Sequence, residues 1–419
     1  MTTATEPSKG SFRLSMLLYD TRYRSTTIQV VALLGFMLAA AWLINNVIEN
    51  LAASGKTFDY RFLWEPAGYD INQRLIEYNS QSTHARAAVV GLLNTLLVAA
   101  MGCVTATVIG VFLGILRLSR NWIVSRLAAV YVEAFRNVPV LLWIVLVMAI
   151  AIEFFPAPRD FKGENPAATM KFFDMVAITN RGVYLPRPQF ANGFGDVVLF
   201  GGAWSLNLNV VAVLAVLIAS FWISGRIRRW ADRVQEETGD RPATWHMRLA
   251  VIVLPTAVLL WALGFHFQYP VLKGFGFKGG IHMRNSLLAL WLALSLYTGA
   301  FIAENVRAGI MAISKGQTEA AAALGLRPGK IMRLVILPQA LRVIVPPLIS
   351  QYLNLTKNSS LAIAVGYMDI TGTLGGITLN QTGREMETLL LLMLCYLIIS
   401  LSISAVMNYY NEKTKLKER

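Results

Sequence analysis

The sequence predicts an all-α membrane protein with about eight transmembrane helices, and two observations lead to that fold class. Hydrophobic residues make up 55% of the 419-residue chain and charged residues only 15%, a balance that soluble domains do not show. The apolar residues also gather into long stretches, and a membrane-spanning helix needs about 20 of them in a row. Eight stretches qualify: 27–48, 88–116, 127–155, 206–223, 249–265, 286–303, 343–365 and 387–408.

The first stretch shares some features with a secretory signal, because Arg22 and Arg24 precede it and Ala52 and Ala53 follow it. Its apolar part is longer than the core of a signal, which has about 7–15 residues. A polar tail also precedes the basic pair. We therefore interpret the stretch as a retained N-terminal anchor.

The positions of Lys and Arg indicate how the spans are oriented, since cytoplasmic loops carry the excess of these residues. They concentrate in the tails and in the alternate segments 117–126, 226–248 and 307–342. The tails contribute Lys9, Arg13, Arg22, Arg24, Lys413, Lys415, Lys417 and Arg419. This bias predicts that both termini are cytoplasmic. It also accounts for the formal net charge of +14 without nucleic acid, for which no binding motif is present.

The chain lacks the residue patterns that enzymes and metal sites need. Cys103 and Cys395 lie in predicted spans, and the histidines are scattered over different loops without ligand spacing, so neither a disulfide nor a metal site is predicted. Neither a phosphate-binding loop nor a hydrolytic constellation is found. We expect no catalytic residue, no metal and no cofactor in this chain, so that energy for any transport comes from a partner or an ion gradient.

The segment between the sixth and seventh stretches has the pattern of two helices joined by a turn. A small-residue helix is predicted from Gln317 to Leu324, and Gly325 suits a left-handed C-terminal cap. Pro328 suits the first turn of a second helix that runs to about Val335. Pro338 is expected to end that helix before the next span. An ordinary helical hairpin that only connects two spans would account for the same local pattern.

Several motifs resemble one family. Glu319-Ala320-Ala321, Gly325 and Ile336-Leu337-Pro338 resemble the ATPase-docking loop of ABC importer permeases, with Val335 where that loop usually has Ile. Four further segments resemble the polar amino-acid branch of these permeases: 91–96, 131–139, 337–342 and 357–361. The resemblance implies that the docking residues are Glu319, Ala320, Ala321, Gly325 and Pro338.

The resemblance also implies an organisation: a type I importer core of five helices plus three extra helices. Residues 1–86 would form the cytoplasmic tail, the anchor and an external loop, and 87–155 the first part of the core. Residues 156–285 would form an insertion with two extra helices and an external loop, whose prolines indicate irregular but ordered structure. Residues 286–419 would complete the core, with the docking loop at 304–342.

The function implied is that of a permease subunit of an ATP-driven, binding-protein-dependent importer of L-amino acids in a bacterial inner membrane. The implied partners are two ATP-binding subunits that hold ATP and Mg, a second related permease in a heterodimer, and a periplasmic binding protein. An ion-coupled secondary transporter is the alternative, and a channel or structural subunit is a further one. Secondary transporters place acidic residues near the bilayer midplane, whereas Glu133 and Glu153 lie near the ends of their span.

Polar residues within the spans are candidates for the substrate pathway, because burying them in lipid is costly. The seventh stretch is unusually polar in its outer half, and its candidates are Asn354, Thr356, Lys357, Asn358 and Ser359. Lys357 would meet a substrate carboxylate or, alternatively, extend to the lipid headgroups, and the hydroxyl groups would otherwise bond to backbone carbonyls.

Asn94 and Thr95, in the second stretch, are pathway candidates or residues that hydrogen-bond between helices. Arg136 would pair with Glu133 or a partner subunit, or extend to the headgroups, and Pro139 would kink or begin the main part of its span. The sequence does not indicate which amino acid is carried.

Overall fold

A computed structural model describes residues 16–53, 55, 58–163, 165–199 and 204–414. The basic residues Lys9, Arg13, Lys415, Lys417 and Arg419, on which part of the predicted orientation rests, lie outside the described residues. The chain forms two compact units, Met1–Tyr60 and Arg61–Arg419.

The first unit consists of a helical turn, Met16–Tyr19, and helix α1, Thr21–Ala53. None of the most apolar part of α1 is buried within the unit, and large side chains such as Phe36, Leu38 and Trp42 are exposed. A helix that is apolar all round fits a lipid environment. This geometry is that expected for the predicted anchor.

The second unit contains the remaining long helices. They are α2 His84–Arg117, α3 Trp122–Asn137, α4 Val140–Glu153, α5 Leu208–Thr238, α6 Trp245–Ala262, α7 Asn285–Met311, α8 Lys315–Ala323, α9 Pro328–Ile331, α10 Leu337–Asn358 and α11 Glu385–Thr414. Shorter helical segments are Arg61–Trp64, Pro158–Phe161, Met332–Ile336, Ser359–Val365, Thr371–Thr378 and Leu379–Thr382. Among the described residues, seven helical segments are long and apolar enough to cross a membrane, or eight if the bent pair α3 and α4 forms one span.

The stretch 127–155, expected as one span, consists of two helices that meet at an angle of 107°. The break lies at Val138 and Pro139, both of which have extended backbone angles. Pro139 lacks the N–H that a continuing helix needs, and α4 begins directly after it. Pro139 was expected to kink the span or to begin its main part; the chain bends there, and a new helix begins directly after it.

Helix α7 lies at the centre of the unit and packs against α2, α3, α4 and α10. Two thirds (67%) of its most apolar part is buried. The contact with α2 is close because α2 presents Gly110 and Gly114 there. A Cβ atom on Gly110 would lie 2.5 Å from the Cβ atom of Ile302. Small residues therefore set the distance between these two helices.

The expectation that Pro338 ends the second helix of the loop is wrong. Helical structure continues from Pro328 to Val365, through a widened turn at Met332–Ile336 in which the Leu337 N–H donates to the Met332 carbonyl. In a regular α-helix the Pro338 ring would clash with the preceding turn. The widened turn removes that conflict directly before Pro338, so α10 passes through it.

Helices α5 and α6 form a hairpin. Arg248 of α6 donates to the Ser224 hydroxyl of α5 over 3.1 Å, but none of the most apolar part of α6 is buried. Helix α5 extends well beyond the predicted span, to Thr238. The hairpin packs far less extensively than the centre of the unit.

Among the described residues, nine short strands occupy the two segments that flank this hairpin. They are β1 Ala177–Thr179, β2 Gly182–Leu185, β3 Arg187–Phe190, β4 Asp196–Leu199, β5 Trp204–Asn207, β6 Phe265–Gln268, β7 Val271–Lys273, β8 Gly276–Lys278 and β9 Ile281–Arg284. The described strands form antiparallel sheets in the orders β1-β2-β9, β3-β6, β4-β5 and β7-β8. Because β9 leads directly into α7, this strand lobe lies at the end of α7 opposite to the predicted docking loop.

Residues 61–83 also pack at the strand end. Ala67, Ile71 and Tyr78 form a small core with Ala87 and Val90, both near the start of α2. The Thr83 side chain caps α2. The start of α2 is therefore fixed before it enters the central bundle.

Candidate functional site

The predicted docking loop has the geometry of two helices joined by a capped turn. Helix α8 ends in a Schellman motif, in which the N–H of Gly325 donates to the Ala322 carbonyl and that of Leu326 to the Ala321 carbonyl. Gly325 has a φ of +75°, a conformation that favours glycine. Pro328 occupies the first turn of α9. The predicted helix, cap and second helix start are confirmed.

One face of this loop is packed and the other is open. Ala321 is buried, whereas Glu319 and Ala320 are exposed and Leu324 is 81% exposed. Space around Gly325 is open, so that even an added Cβ atom would meet no other heavy atom within 4 Å. Further large apolar side chains are exposed on the adjoining helical segments: Met311, Met332, Leu334, Leu337 and Leu341. A rigid helix with small and apolar exposed residues is suited to contact with another protein.

A cluster of charged residues lies behind the loop and joins three helices. Glu304 of α7 pairs with Arg117 of α2 and, over 2.6 Å, with Arg307. Glu133 of α3 lies 4.0 Å from Arg117 and 3.9 Å from Arg136, so one expected partner of Arg136 is present. The Arg136 guanidinium also lies 5.4 Å from the centre of the Phe301 ring.

Of this cluster, only the pair of Arg136 with Glu133 was among the expectations from the sequence. The signal available was the position of Glu304 and Arg117, one residue beyond the ends of two predicted spans. An acidic residue there needs a cationic partner, because an unpaired buried charge is costly.

The pathway candidates on α10 fall into two groups. Asn354 and Lys357 are exposed, and within the described part of the chain no hydrogen bond or ion pair involves their side chains. Thr356 and Ser359 are buried and donate to the carbonyls of Tyr352 and Thr356. Asn358 is half-buried. The exposed pair is therefore available to a ligand or partner, and the hydroxyl pair stabilises the helix.

Asn94 and Thr95 are both buried at a helix junction. The Asn94 amide donates to the carbonyls of Gln73 and Met368 over 2.7 and 2.8 Å. The Thr95 hydroxyl accepts from the N–H of Ile370. These bonds connect α2 to the segment between α10 and α11.

Within the described residues no cluster of His, Cys, Asp and Glu side chains could hold a metal ion. The predicted docking loop presents an exposed surface and connects helix α7 to helix α10. Its exposed small and apolar side chains suit contact with another protein, and Asn354 and Lys357 of α10 present exposed polar groups.

Comparison with known proteins gives the family. A family model described as "binding-protein-dependent transport system inner membrane component" matches residues 242–416. The chain is 59% identical, over the whole of both chains, to the glutamate/glutamine/aspartate/asparagine transport system permease protein BztB of Rhodobacter capsulatus. This chain belongs to the permeases of amino-acid ABC importers.

Two further permeases of this family match almost as completely. The general L-amino acid transport system permease protein AapQ of Rhizobium johnstonii is 43% identical over 100% of this chain and 98% of its own length. The putative amino-acid ABC transporter permease protein YhdX of Escherichia coli is 42% identical over 94% and 95%. Both alignments cover nearly the whole of this chain.

Membership of this permease family assigns the chain to the inner membrane as a multi-pass protein, in agreement with its long apolar helices. Permease subunits of this family lack an ATPase site of their own. The alternative of an ion-coupled secondary transporter is set aside, because an ABC permease belongs to a different class of transporter.

Proposed function

We propose that this permease forms half of the translocation pathway of an ATP-driven, binding-protein-dependent importer and couples to ATP-binding subunits through Glu319–Gly325. The observation that carries the proposal is the exposed, rigidly capped helix α8. The exposed residues Ala320, Ala322 and Ala323 have small side chains, which allows a partner surface to approach the backbone of α8 closely.

The connection between this loop and the membrane supports a mechanical role. Helix α8 packs on the widened turn Met332–Ile336, and helical structure runs without interruption from there into α10. A displacement of α8 would thus move α10, which carries Asn354 and Lys357. The Glu304 cluster links α2, α3 and α7 at the same end, so these helices would move together.

We further propose that Asn354, Lys357 and Asn358 line the solute pathway. Exposed polar groups on a membrane helix face water or protein, because facing lipid is costly. Thr356, Ser359, Asn94 and Thr95 would support this face through the helix and junction bonds that they form, without direct contact with solute.

The remaining partners follow from the same proposal. Two ATP-binding subunits would hold ATP and Mg, a second related permease would form the other half of the pathway in a heterodimer, and a periplasmic protein would deliver the solute. Both termini and the docking loop would be cytoplasmic, in keeping with the distribution of Lys and Arg. The strand lobe would then be periplasmic. Because BztB is a permease for glutamate, glutamine, aspartate and asparagine by its name, we propose acidic and amide amino acids as substrates.

The decisive experiment is affinity purification of the chain from its native membrane with Gly325 intact and with Gly325→Trp. The wild-type chain should retain an ATPase that the variant loses. Gly274→Trp is the matched control, since Gly274 also has a positive φ, +65°, and open space around it, but lies in the turn between β7 and β8. Absence of any ATPase from the wild-type complex in mild detergent, or its loss from both variants, would contradict the proposal.

Lys357→Met tests the pathway assignment. Uptake of acidic amino acids by the assembled transporter should fall on the order of tenfold, because a cation that meets the carboxylate is lost. Lys278→Met in β8 removes the same charge from an exposed position and should leave uptake unchanged. Unaltered transport by a normally assembled Lys357→Met complex would remove Lys357 from the pathway.

A further inference from the structure

A cavity of about 550 Å³ lies where the strand lobe meets the helical bundle. Its helical side is formed by Met148 and Ile152 of α4, Asn285 at the start of α7, and Gly366, which follows the helical turn Ser359–Val365. Strands β2 and β9 form the other side. We refer to it as the strand-end cavity. It lies directly beyond the helix that carries Asn354 and Lys357.

The register of β2 and β9 arranges the side chains on its sheet wall. Gly182 lies opposite Arg284, and Tyr184 lies opposite His282, so alternate residues of both strands share one face. The Tyr184 and His282 rings are stacked, with centres 4.1 Å apart and planes 1° apart. Gly182 has a φ of +138°, and a Cβ atom there would lie 2.8 Å from His282 Nε2. Glycine therefore permits this packing.

The wall is cationic. Arg181 and Arg284 line the cavity, and none of the lining residues is acidic. In the described part of the chain neither guanidinium forms an ion pair, although Arg181 donates to the Phe275 carbonyl over 3.2 Å. Glu153, the nearest acidic residue along α4, lines a different cavity. Two cations beside each other without a counter-charge favour an anionic ligand.

The neighbouring histidine adds no charge at neutral pH. Burial, and after it the positive charge of Arg284, holds the pKa of His282 below its usual value, while the contact of Nε2 with the Arg181 carbonyl, 3.2 Å, acts in the other direction. A neutral ring can donate to that carbonyl. The two arginines are thus the source of the positive charge.

Asn180, which also lines the cavity, has a buried side-chain acceptor without a donor. The side-chain oxygen of Asn180 is buried and has no hydrogen-bond partner among the described residues. The main-chain carbonyl of Asn180 is already bonded to the amide of Asn285. A buried acceptor without a partner is costly, and an ammonium group would satisfy it. The arginines can donate to a carboxylate, and the Asn180 oxygen can accept from an ammonium group. Together they match a molecule that has both groups.

We propose that the strand-end cavity binds an acidic L-amino acid on its way into the pathway, with Arg284 and Arg181 on the side-chain carboxylate and Asn180 on the ammonium group. This inference rests on the proposed function, because it needs the strand lobe to face the solute before transport. It deepens that function by assigning discrimination between acidic and amide substrates to the permease. An aspartate or glutamate side chain of a delivering protein is the competing occupant.

The test compares glutamate with glutamine, which differ in charge but hardly in shape. The complex that co-purifies with this chain is reconstituted into vesicles with saturating binding protein, preloaded with either amino acid. With Arg284→Gln the rate of glutamate uptake relative to glutamine should fall on the order of tenfold, as for loss of a charged hydrogen bond. Arg284→Lys, which keeps the charge, should retain part of the preference.

Arg187→Gln is the matched control, because Arg187 is exposed on β3, outside the cavity, and its loss changes the net charge equally. Its uptake ratio should change by less than about twofold. An unchanged ratio with Arg284→Gln would overturn the inference, as would an equal fall with Arg187→Gln. Equal losses for both substrates, together with weaker co-sedimentation of the binding protein, would overturn it in favour of the competing occupant.

The result for the wild-type complex separates this inference from the proposed function. If the wild type shows no ATP-dependent uptake of any amino acid, the proposed function fails and the inference fails with it. If the wild type takes up both substrates and Arg284→Gln leaves their ratio unaltered, the inference alone is rejected.

Discussion

Helices α7 and α6 are both apolar enough to cross a membrane, but they differ in what surrounds them. In its most apolar part α7 is 67% buried, whereas α6 is 0% buried. Helix α7 meets glycines of α2 at close range, and α6 packs on α5 and, near its end, on β6. Apolar composition thus indicates the membrane for both helices, while burial separates the packed centre of the bundle from the part exposed to lipid or a partner.

This difference in burial predicts where the permease should tolerate larger side chains. A buried helix contact leaves no room for added atoms, because protein interiors are closely packed. An exposed hairpin can accept a larger apolar side chain, since lipid or solvent gives way. Substitutions of one type in both regions should therefore have opposite outcomes.

The largest effect is expected for Gly110→Leu in α2. The new side chain would enter the space of Ile302, and its Cβ atom would lie 2.9 Å from the Gly299 carbonyl oxygen, so α2 and α7 must separate. Overpacking of this kind costs about 1–3 kcal/mol or more. We expect a lower midpoint of thermal unfolding for the purified complex and loss of uptake.

Gly225→Leu in α5 is the matched control, because a Cβ atom at Gly225 meets no other heavy atom within 4 Å. Leu is also a better helix former than Gly, by somewhat less than about 1 kcal/mol. The midpoint should be unchanged or slightly higher. A comparable loss of stability in both variants would show that the hairpin is packed as tightly as the core.

Features set by neighbouring residues could be predicted from the sequence. The apolar stretches predicted the long helices, and the order Ala322, Gly325, Pro328 predicted the end of one helix and the start of the next, because caps depend on local backbone geometry. Pro338 was misinterpreted as a helix end. Its accommodation depends on the widened turn before it, for which the sequence has no simple signal.

Features that join distant residues could not be predicted. The strands β2 and β9 pair residues about one hundred positions apart, such as Tyr184 and His282, and each strand is too short to show a clear alternation of polar and apolar residues. Glu304 and Arg117, which form an ion pair, are also remote in sequence, as are Asn94 and Met368, which share a hydrogen bond. The strand-end cavity exists only through such contacts.

A smaller effect is expected for Glu304→Gln, which removes the central carboxylate of the charged cluster. The Glu304 side chain is 24% exposed and that of Arg117 is 13% exposed. The substitution leaves Arg117 without its closest counter-charge. Loss of a charged hydrogen bond costs about 1.5–3 kcal/mol. The thermal midpoint should fall, and coupling between ATP hydrolysis and uptake should weaken because α2 and α7 lose the ion pair that links them at this end.

Glu133→Gln, in the same charged cluster, is the comparison for Glu304→Gln. Glu133 is 56% exposed and its ion pairs are long, 3.9 and 4.0 Å, so its loss should cost at most about 1 kcal/mol. Measuring the ratio of ATP hydrolysed to solute taken up distinguishes the two variants. If both variants altered the ratio equally, the cluster would act as a diffuse set of charges and not through Glu304.

The smallest effect should be a pH dependence of the strand lobe. Burial and the nearby charge of Arg284 lower the pKa of His282 from its ordinary value of 6.5, so the unfolded chain binds a proton more readily than the folded lobe. The stability that neutral His282 confers is therefore complete above pH 6.5 and declines as the pH falls below that value.

Protonation of His282 would place a third cation beside Arg181 and Arg284 and alter its stacking on Tyr184. Amide hydrogen exchange in β2 and β9 should therefore accelerate between pH 7.5 and 5.5, after correction for the intrinsic dependence of exchange on pH. His282→Phe keeps an aromatic ring against Tyr184 but cannot take up a proton, so its corrected exchange should not change over that range. In the contact between α2 and α7, Gly110 and Gly114 meet Gly299, Ile302, Ala303 and Val306, none of which titrates. Exchange at this contact should also stay constant, and acceleration there as well would place the pH-sensitive group outside the strand lobe.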